Sequence, residues 1–492
     1  MRSSPSRIAA LVVIAVALSV SGCGGRASGP GAAPPPVPAA AEAYGAARWI
    51  PARPTYAILA RSMADAQRAA TGLLGAFGAL ADVDAAEASG FLRGLLAVDA
   101  LSGDAVAEIG VDLEAGVALF SEAVSPTVVV HLSAPAQTLA FIDRLRAAGM
   151  QTQSVVADGV EVFSVAVPGG PKIRWAIAED WLWVHFALPG FEDEGTAWFS
   201  SSRRPGAPAW GGDFASATSG ARPAVAGFLD VRAVLAKLSP RIPAAIACTR
   251  LLAPVGRLAV SVDVGADRLG GRLALELGDA AAGLQRAVLP APGAWSAAAA
   301  GAPLAAQWNL DLGWVRERIA PCARALAVDL ASLDRYGVRT ARAILQHYDP
   351  DRPTKSRGAV SFDLAHRTYA AQLLDEIPGR SLIQRRRTFG PYQGYALSIP
   401  FGPTVEYVLD DQRALAGLGE GVLAAVVGQG PGAPGPLFAL DAAPPAMPRE
   451  AWAGLLAQVG LPVGPLLAWR ELHLAVAIDG TRLVIDASGR RR

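Results

Sequence analysis

Lysine is nearly missing from this chain of 492 residues: Lys172, Lys237 and Lys355 stand alone, and arginine supplies the rest of the 44 basic side chains. Against 43 acidic residues these leave a net charge of +1. So balanced a chain has no broad field to gather a polyanion, and no nucleic acid partner is expected. The arginine bias is what GC-rich coding produces and is given no functional weight. Cysteine is as scarce: Cys23, Cys248 and Cys322 cannot build a disulfide-dense scaffold, and none sits in a Cys-x-x-Cys pair. The five histidines, His131, His185, His347, His366 and His473, are scattered singly, so neither a metal nor a cofactor is expected.

Catalytic signatures are missing in the same way. Without Gly-Lys-Ser or Gly-Lys-Thr there is no Walker A loop. Gly430-Pro431-Gly432-Ala433-Pro434-Gly435 matches a dinucleotide glycine spacing only in form, because its prolines remove amides that would face a pyrophosphate. Gly-x-Ser-x-Gly and Ser-x-x-Lys are absent, which leaves a hydrolase only a triad assembled by folding. His131, alternating with apolar residues in a strand, reads as a capped or solvated histidine rather than a catalytic base.

The N-terminal apolar run is also short. Residues 8–20 are uncharged, 13 positions where a spanning helix needs about 20, and Arg2 and Arg7 precede them. That is the build of an export signal. Leu18-Ser19-Val20-Ser21-Gly22-Cys23 then resembles a bacterial lipobox, in which the cysteine thiol takes a diacylglyceryl group before cleavage on its N-terminal side. The resemblance implies signal peptide 1–22, acyl chains on Cys23 and anchorage in a membrane. By comparison with lipoproteins of diderm bacteria, Gly24 rather than Asp after the cysteine implies sorting to the outer membrane, facing the periplasm. Residues 23–45 are mostly Gly, Pro, Ala and Ser, have little to bury, and read as a tether.

What remains is ample for a core: 52% of residues are hydrophobic, and 52 Gly with 37 Pro predict many turns and short elements. The chain repeats itself. Leu258-Ala259-Val260-Ser261-Val262-Asp263 returns as Leu474-Ala475-Val476-Ala477-Ile478-Asp479, each opening a β-hairpin. Pro168-Gly169-Gly170-Pro171 returns as Pro400-Phe401-Gly402-Pro403 at a separation of 232. The separation drops to between 211 and 216 downstream, which places an insertion near 190–220 in the first copy. The expected fold is α+β: repeat one over 46–288 and repeat two over 289–492, each with N-terminal helices and an antiparallel sheet of consecutive hairpins, the helices on one face.

Two constellations carry the remaining candidates. Cys248 and Cys322, the thiols left after lipidation, form a disulfide closing a ring of about 75 residues, worth about 4 kcal/mol, or stay as two separately buried thiols. Trp181, Trp183, Trp198 and Trp210 crowd one region and are the candidate ligand or partner surface, with core filling the competing role. The runs Arg385-Arg386-Arg387 and Arg490-Arg491-Arg492 read as solvated charge, with contact to anionic head groups as the alternative.

Trp49-Ile50-Pro51 leading to Tyr56, the Gly110-Val111-Asp112 turn and the two Pro-x-Gly-Pro hairpins together resemble uncharacterised proteobacterial lipoproteins built of duplicated α+β repeats. The resemblance implies a lipid-anchored envelope protein and names no activity. The leading expectation is a non-enzymatic protein that binds an envelope protein, lipid or glycan. An envelope hydrolase with a site assembled in the fold, or a purely structural component, are the alternatives.

Overall fold

The structure, a computed structural model, describes residues 43–77, 85–167, 170–190, 195–204, 214, 222–238, 254–325, 337–349, 351–375, 384–399, 402–427, 435–457 and 463–491. Cys23 with its signal and the expected tether as far as residue 42, Cys248 and Trp210 lie outside these residues, as does most of the expected insertion; the last expected tether positions instead belong to the folded body, where Tyr44 is fully buried and Gly45 opens a 3-10 helix. Two compact units divide the chain, the first ending with Val255–Leu275 and the second running on from Glu276. The division falls at the end of a strand rather than at the expected 288/289, because the helix Ala280–Arg286 groups with the second unit.

The first unit has strands β1 (Tyr56–Ala60), β2 (Val117–Ser121), β3 (Thr127–His131), β4 (Gln153–Ala157), β5 (Val160–Ala166), β6 (Lys172–Ala178), β7 (Trp181–Ala187), β8 (Val225–Asp230), β9 (Arg257–Val264) and β10 (Arg268–Glu276). Every pairing within it is antiparallel, in the order β10-β9-β8-β1-β2-β3-β7-β6-β5-β4. The second unit has β11 (Leu304–Trp308), β12 (Val338–His347), β13 (Arg357–Leu364), β14 (Gln384–Phe389), β15 (Tyr392–Ser398), β16 (Thr404–Leu409), β17 (Arg413–Leu418), β18 (Phe438–Ala442), β19 (Trp469–Asp479) and β20 (Arg482–Arg491). Its order is β20-β19-β18-β11-β12-β13-β17-β16-β15-β14, again antiparallel throughout. The chain is therefore α+β, built on antiparallel sheet.

Helices enter both units at the same points of the strand sequence. Met63–Phe77, Ala85–Leu96 and Gly103–Ala107 follow β1, Pro135–Ala147 follows β3, Ala197–Arg203 follows β7 and Val231–Leu238 follows β8. In the second unit Leu312–Ala325 follows β11, Thr368–Asp375 follows β13, Val422–Val427 follows β17, and Arg449–Ala457 with Val463–Leu467 follow β18. Local chemistry marks these starts: Ser102 accepts from the Ala105 amide at 3.4 Å, Pro135 takes the first helical position, and Asp230 accepts from the Ala233 amide at 2.8 Å.

The expectation of helices on one face is corrected for the first unit, where both faces are covered. Strand alternation puts Leu59, Ala118, Val129 and Trp183 side by side on one face, and the 3-10 helix Gly45–Trp49 with Ala197–Arg203 covers them. The opposite face carries Val130, Leu132, Ile173, Trp175 and Leu182, under Val106 and Ile142 of two other helices. A ten-stranded order with alternating apolar residues has two faces to bury, and covering one would leave Trp175 in water.

Two left-handed glycines hold matching corners. Gly110 (φ +86°) precedes Val111, which pairs with Leu132; Gly337 (φ +65°) precedes Val338, which pairs with Leu364. A Cβ at Gly110 would lie 2.2 Å from the Ala134 carbonyl oxygen, and one at Gly337 would lie 2.7 Å from that of His366. Gly110→Ala is therefore expected to cost more than about 2 kcal/mol, from left-handed strain and the backbone clash together, measured as a fall in the urea midpoint. An unchanged midpoint would contradict this account of the corner.

Candidate functional site

Of the two roles open to the clustered tryptophans, Trp181, Trp183 and Trp198 take the core. Trp183 is fully buried, and Trp181 and Trp198 are each 5% exposed. Trp183 and Trp181 meet Trp49 edge to face at 5.0 and 5.9 Å, and Trp183 meets Phe199 at 5.3 Å. The Trp183 indole donates to Ser202 Oγ at 2.9 Å, and Ser202 donates to the Trp49 carbonyl at 2.5 Å. Trp181 and Trp183 lie on the covered sheet face and Trp198 on the helix that covers it, which withdraws all three from any exposed platform. Cys322 lies in the helix Leu312–Ala325, with its side chain outside the described residues, so the pairing with Cys248 does too.

Two histidines of the first unit are likewise placed. His185 is 1% exposed, stacks on Trp198 at 4.8 Å, and shares a 2.9 Å hydrogen bond between Nδ1 and Thr127 Oγ1. Burial pushes its pKa down to about 3, with the Arg174 charge acting the same way. His131 Nδ1 lies 3.0 Å from Asp112 Oδ2, and its ring packs edge to face on Trp181 at 5.1 Å. Partial burial opposes ionisation of Asp112, but the Glu114 amide and the His131 imidazole outweigh it and hold the carboxyl below its usual range. The pair sits at the end of β3, and among the described residues no hydroxyl bonds to His131.

The second unit buries charge where the first buries hydrocarbon. In place of Leu59, Ala118 and Val129, the matching strands carry Gln307, Arg342 and Ser361 as register neighbours. Arg342, with a side chain 0% exposed, donates to Asn309 Oδ1 at 2.6 Å, to Asp363 Oδ2 at 2.9 Å and to the carbonyls of Leu289 and Pro290 at 3.1 and 3.3 Å. Asp363 also accepts from Thr340 Oγ1 at 2.5 Å and from Arg413 at 2.7 and 2.8 Å. Burial alone would push the Asp363 carboxyl up, but Thr340, Arg342 and Arg413 outweigh it and keep it low. These groups spend their hydrogen bonds on one another, and the network is closed to a ligand.

Sequence reasoning missed an open recess that gathers unspent groups. At one end of the second sheet a cavity of about 580 Å³ is lined by His347, Thr354, Lys355, Arg357, Gly402, Pro403, Thr404, Gly419 and Glu420. His347 ends β12 opposite Arg357, which opens β13, and a turn over 348–356 carries Lys355. That turn is organised by Asp349, whose carboxylate accepts from the amides of Asp351 and Arg352 at 3.1 and 2.9 Å. The missed signal was the turn itself, nine residues long with one of only three lysines, where the first unit joins β2 to β3 through 122–126. Among the described residues no group of His, Cys, Asp and Glu is placed to hold a metal ion.

No protein-family profile matches the chain, and no curated protein matches it. Among solved structures, crystal form I of the treponemal lipoprotein TP0453 overlaps 47% of this chain and 78% of its own, with 13% identity and a TM-score of 0.27. Crystal form III overlaps 49% and 85%, with 13% identity and a TM-score of 0.29. At these scores the likeness carries no argument about this chain.

Two measurements test the buried groups. Arg342→Ala is expected to lower unfolding free energy by about 3–5 kcal/mol in urea, since Asp363 is left charged and under-paired, while Arg342→Met with Asp363→Leu recovers much of the loss. A single variant within about 1 kcal/mol of the parent contradicts the network's role. For His185, the unfolded ring binds a proton near pH 6.5 and the folded ring resists until about 3, so its stability contribution is complete above 6.5 and is lost as pH falls between the two. Its imidazole resonances are expected to stay neutral at about pH 5, and titration near 6.5 would contradict the buried assignment.

Proposed function

We propose that this chain is a lipid-anchored envelope lipoprotein of the outer membrane, facing the periplasm, that binds a ligand or partner rather than transforming one. The observation that carries the proposal is the lipobox: Arg2 and Arg7, the apolar run 8–20, and Val20-Ser21-Gly22-Cys23 stand in the order that directs export, acylation and cleavage. Two or three acyl chains hold a protein firmly, each buried methylene contributing about 0.8 kcal/mol. No helix among the described residues is long and apolar enough to cross a membrane.

The mature body is proposed to be one α+β repeat used twice. Supporting this are the in-order sequence matches, the same ten-strand order in each unit, and turns of the same build: Gly170 N donates to Val167 O at 2.9 Å as Gly402 N does to Ile399 O at 3.0 Å. Membership of a proteobacterial family of such duplicated lipoproteins belongs to the same proposal. Binding is favoured over hydrolysis because the His131–Asp112 pair has no hydroxyl partner among the described residues, while the second unit's recess holds unspent donors. That recess is taken as the recognition surface.

Cys23→Ser is expected to abolish acylation and processing, so that the chain no longer labels with an alkyne fatty acid and keeps its full N-terminus by mass. Labelling that survives the substitution, or a parent chain that never labels, would overturn the lipoprotein reading.

A further inference from the structure

The recess of the second unit faces solvent with donors and almost no acceptors. Lys355 and Arg357 bring two fixed cations, His347 a third nitrogen base, and Thr354 and Thr404 two hydroxyls. Among the described residues none of these five side chains makes a hydrogen bond or ion pair within the chain. The lining carboxylate, Glu420, is already bonded to Arg387 Nη2 at 2.7 Å, and Arg387 lies outside the lining. Elsewhere in this unit Arg339 pairs with Asp311, Arg342 and Arg413 with Asp363, and Arg367 with Asp411, while Arg352, Arg385 and Arg386 stand in solvent with no ion pair among the described residues. What sets the recess apart is that Lys355, Arg357, His347 and two threonine hydroxyls are gathered round one opening.

The first unit supplies an internal comparison. Its β2–β3 connection over 122–126 is shorter and carries no basic residue, and its glutamate is drawn off, since Ser201 Oγ donates to Glu122 Oε2 and Lys237 Nζ donates to the Glu122 carbonyl at 2.9 Å. The longer turn of the second unit adds Asp349, Asp351, Arg352 and Lys355, with the Asp349 carboxylate held by the amides of Asp351 and Arg352, and it places Arg357 and His347 on either side of its base. A turn that lengthens and gains charged side chains on an otherwise matching strand order is a place where recognition can be added.

The geometry points to an oxyanion-binding site in the second unit, in which Lys355, Arg357 and His347, with the hydroxyls of Thr354 and Thr404, take a phosphate group. A guanidinium offers two parallel N–H donors to such a group, an ammonium a point charge, and hydroxyls complete its acceptor oxygens. The phosphate is free in solution or is the head group of an anionic lipid, and both share this chemistry. The inference rests on the reading of the recess as the recognition surface.

The test uses the mature lipidated chain in two arms. Inorganic phosphate titrated calorimetrically into the chain in non-ionic detergent is the free-ion arm. Phosphatidylcholine nanodiscs with and without phosphatidylglycerol, read by amide exchange over residues 348–357, form the head-group arm. In the arm that carries the true source, Lys355→Gln with Arg357→Gln is expected to weaken binding at least ten-fold, Glu420→Gln to strengthen it, and Arg352→Gln, an exposed cation of the same turn outside the lining, to leave it unchanged. Lys355 and Arg357 are exposed and unpaired, so the thermal midpoint of the double variant should match the parent's. If neither probe binds in a manner that depends on Lys355 and Arg357, the phosphate assignment is overturned. If the double variant still loses a ligand or protein that the parent retains from its own envelope, the recognition surface stands without phosphate; if it loses nothing, that reading falls as well.

Discussion

Everything in each unit depends on the antiparallel ladder. Main-chain pairing fixes the register, the register fixes which side chain of each residue pair faces which way, and a slip of one residue would exchange the two faces of a strand. Leu59, Ala118, Val129 and Trp183 become neighbours only because four strands from distant parts of the sequence pair in that register. The connecting helices then serve as covers, and their positions after β1, β3, β7 and β8 are set by where the chain must leave the sheet and return.

The same ladder tolerates opposite solutions to filling its interior. In the first unit the central row is hydrocarbon and indole; in the second it includes Arg342, whose charge is matched by Asp363 and whose remaining donors meet Asn309 and two backbone carbonyls. The third residues of β6 and β16 show the inversion again. Arg174 donates to the Gly195 carbonyl ahead of one helix at 2.6 Å, while Glu406 accepts from the Gly421 and Leu423 amides at the start of another at 2.9 and 3.0 Å. Buried charge of this kind is retained only with full hydrogen bonding, which is why these residues form closed networks and leave recognition to the periphery.

Much of the fold was legible in the sequence because local pattern and tertiary role agree there. The alternation of 160–187 and the Asp479-Gly480 turn announced hairpins, and the α+β class came from helices early and strands late. Strand β4 was not anticipated, since Gln153-Ser154-Val155-Val156-Ala157 is an edge with both faces exposed and no buried alternation to betray it. The tryptophans were left between core and surface for the converse reason: clustering in sequence says nothing about which strand face a helix will cover. The recess was illegible because His347, Lys355, Arg357, Thr404 and Glu420 come from separate segments, and only the pairings β12–β13, β13–β17 and β16–β17 set them round one opening. The stretch that resembles a lipobox, by contrast, is contiguous, so the resemblance needs no folding to be seen.

Native mass spectrometry of the tag-free protein released from its own envelope tests the account most directly, because one spectrum reports both the covalent N-terminus and whatever the body holds. The account predicts a chain that begins at Cys23, heavier than its sequence by two or three acyl chains, and carrying a phosphate-bearing adduct that leaves when Lys355 and Arg357 are replaced. A chain that begins at Met1, or one of bare polypeptide mass with no adduct, would contradict it.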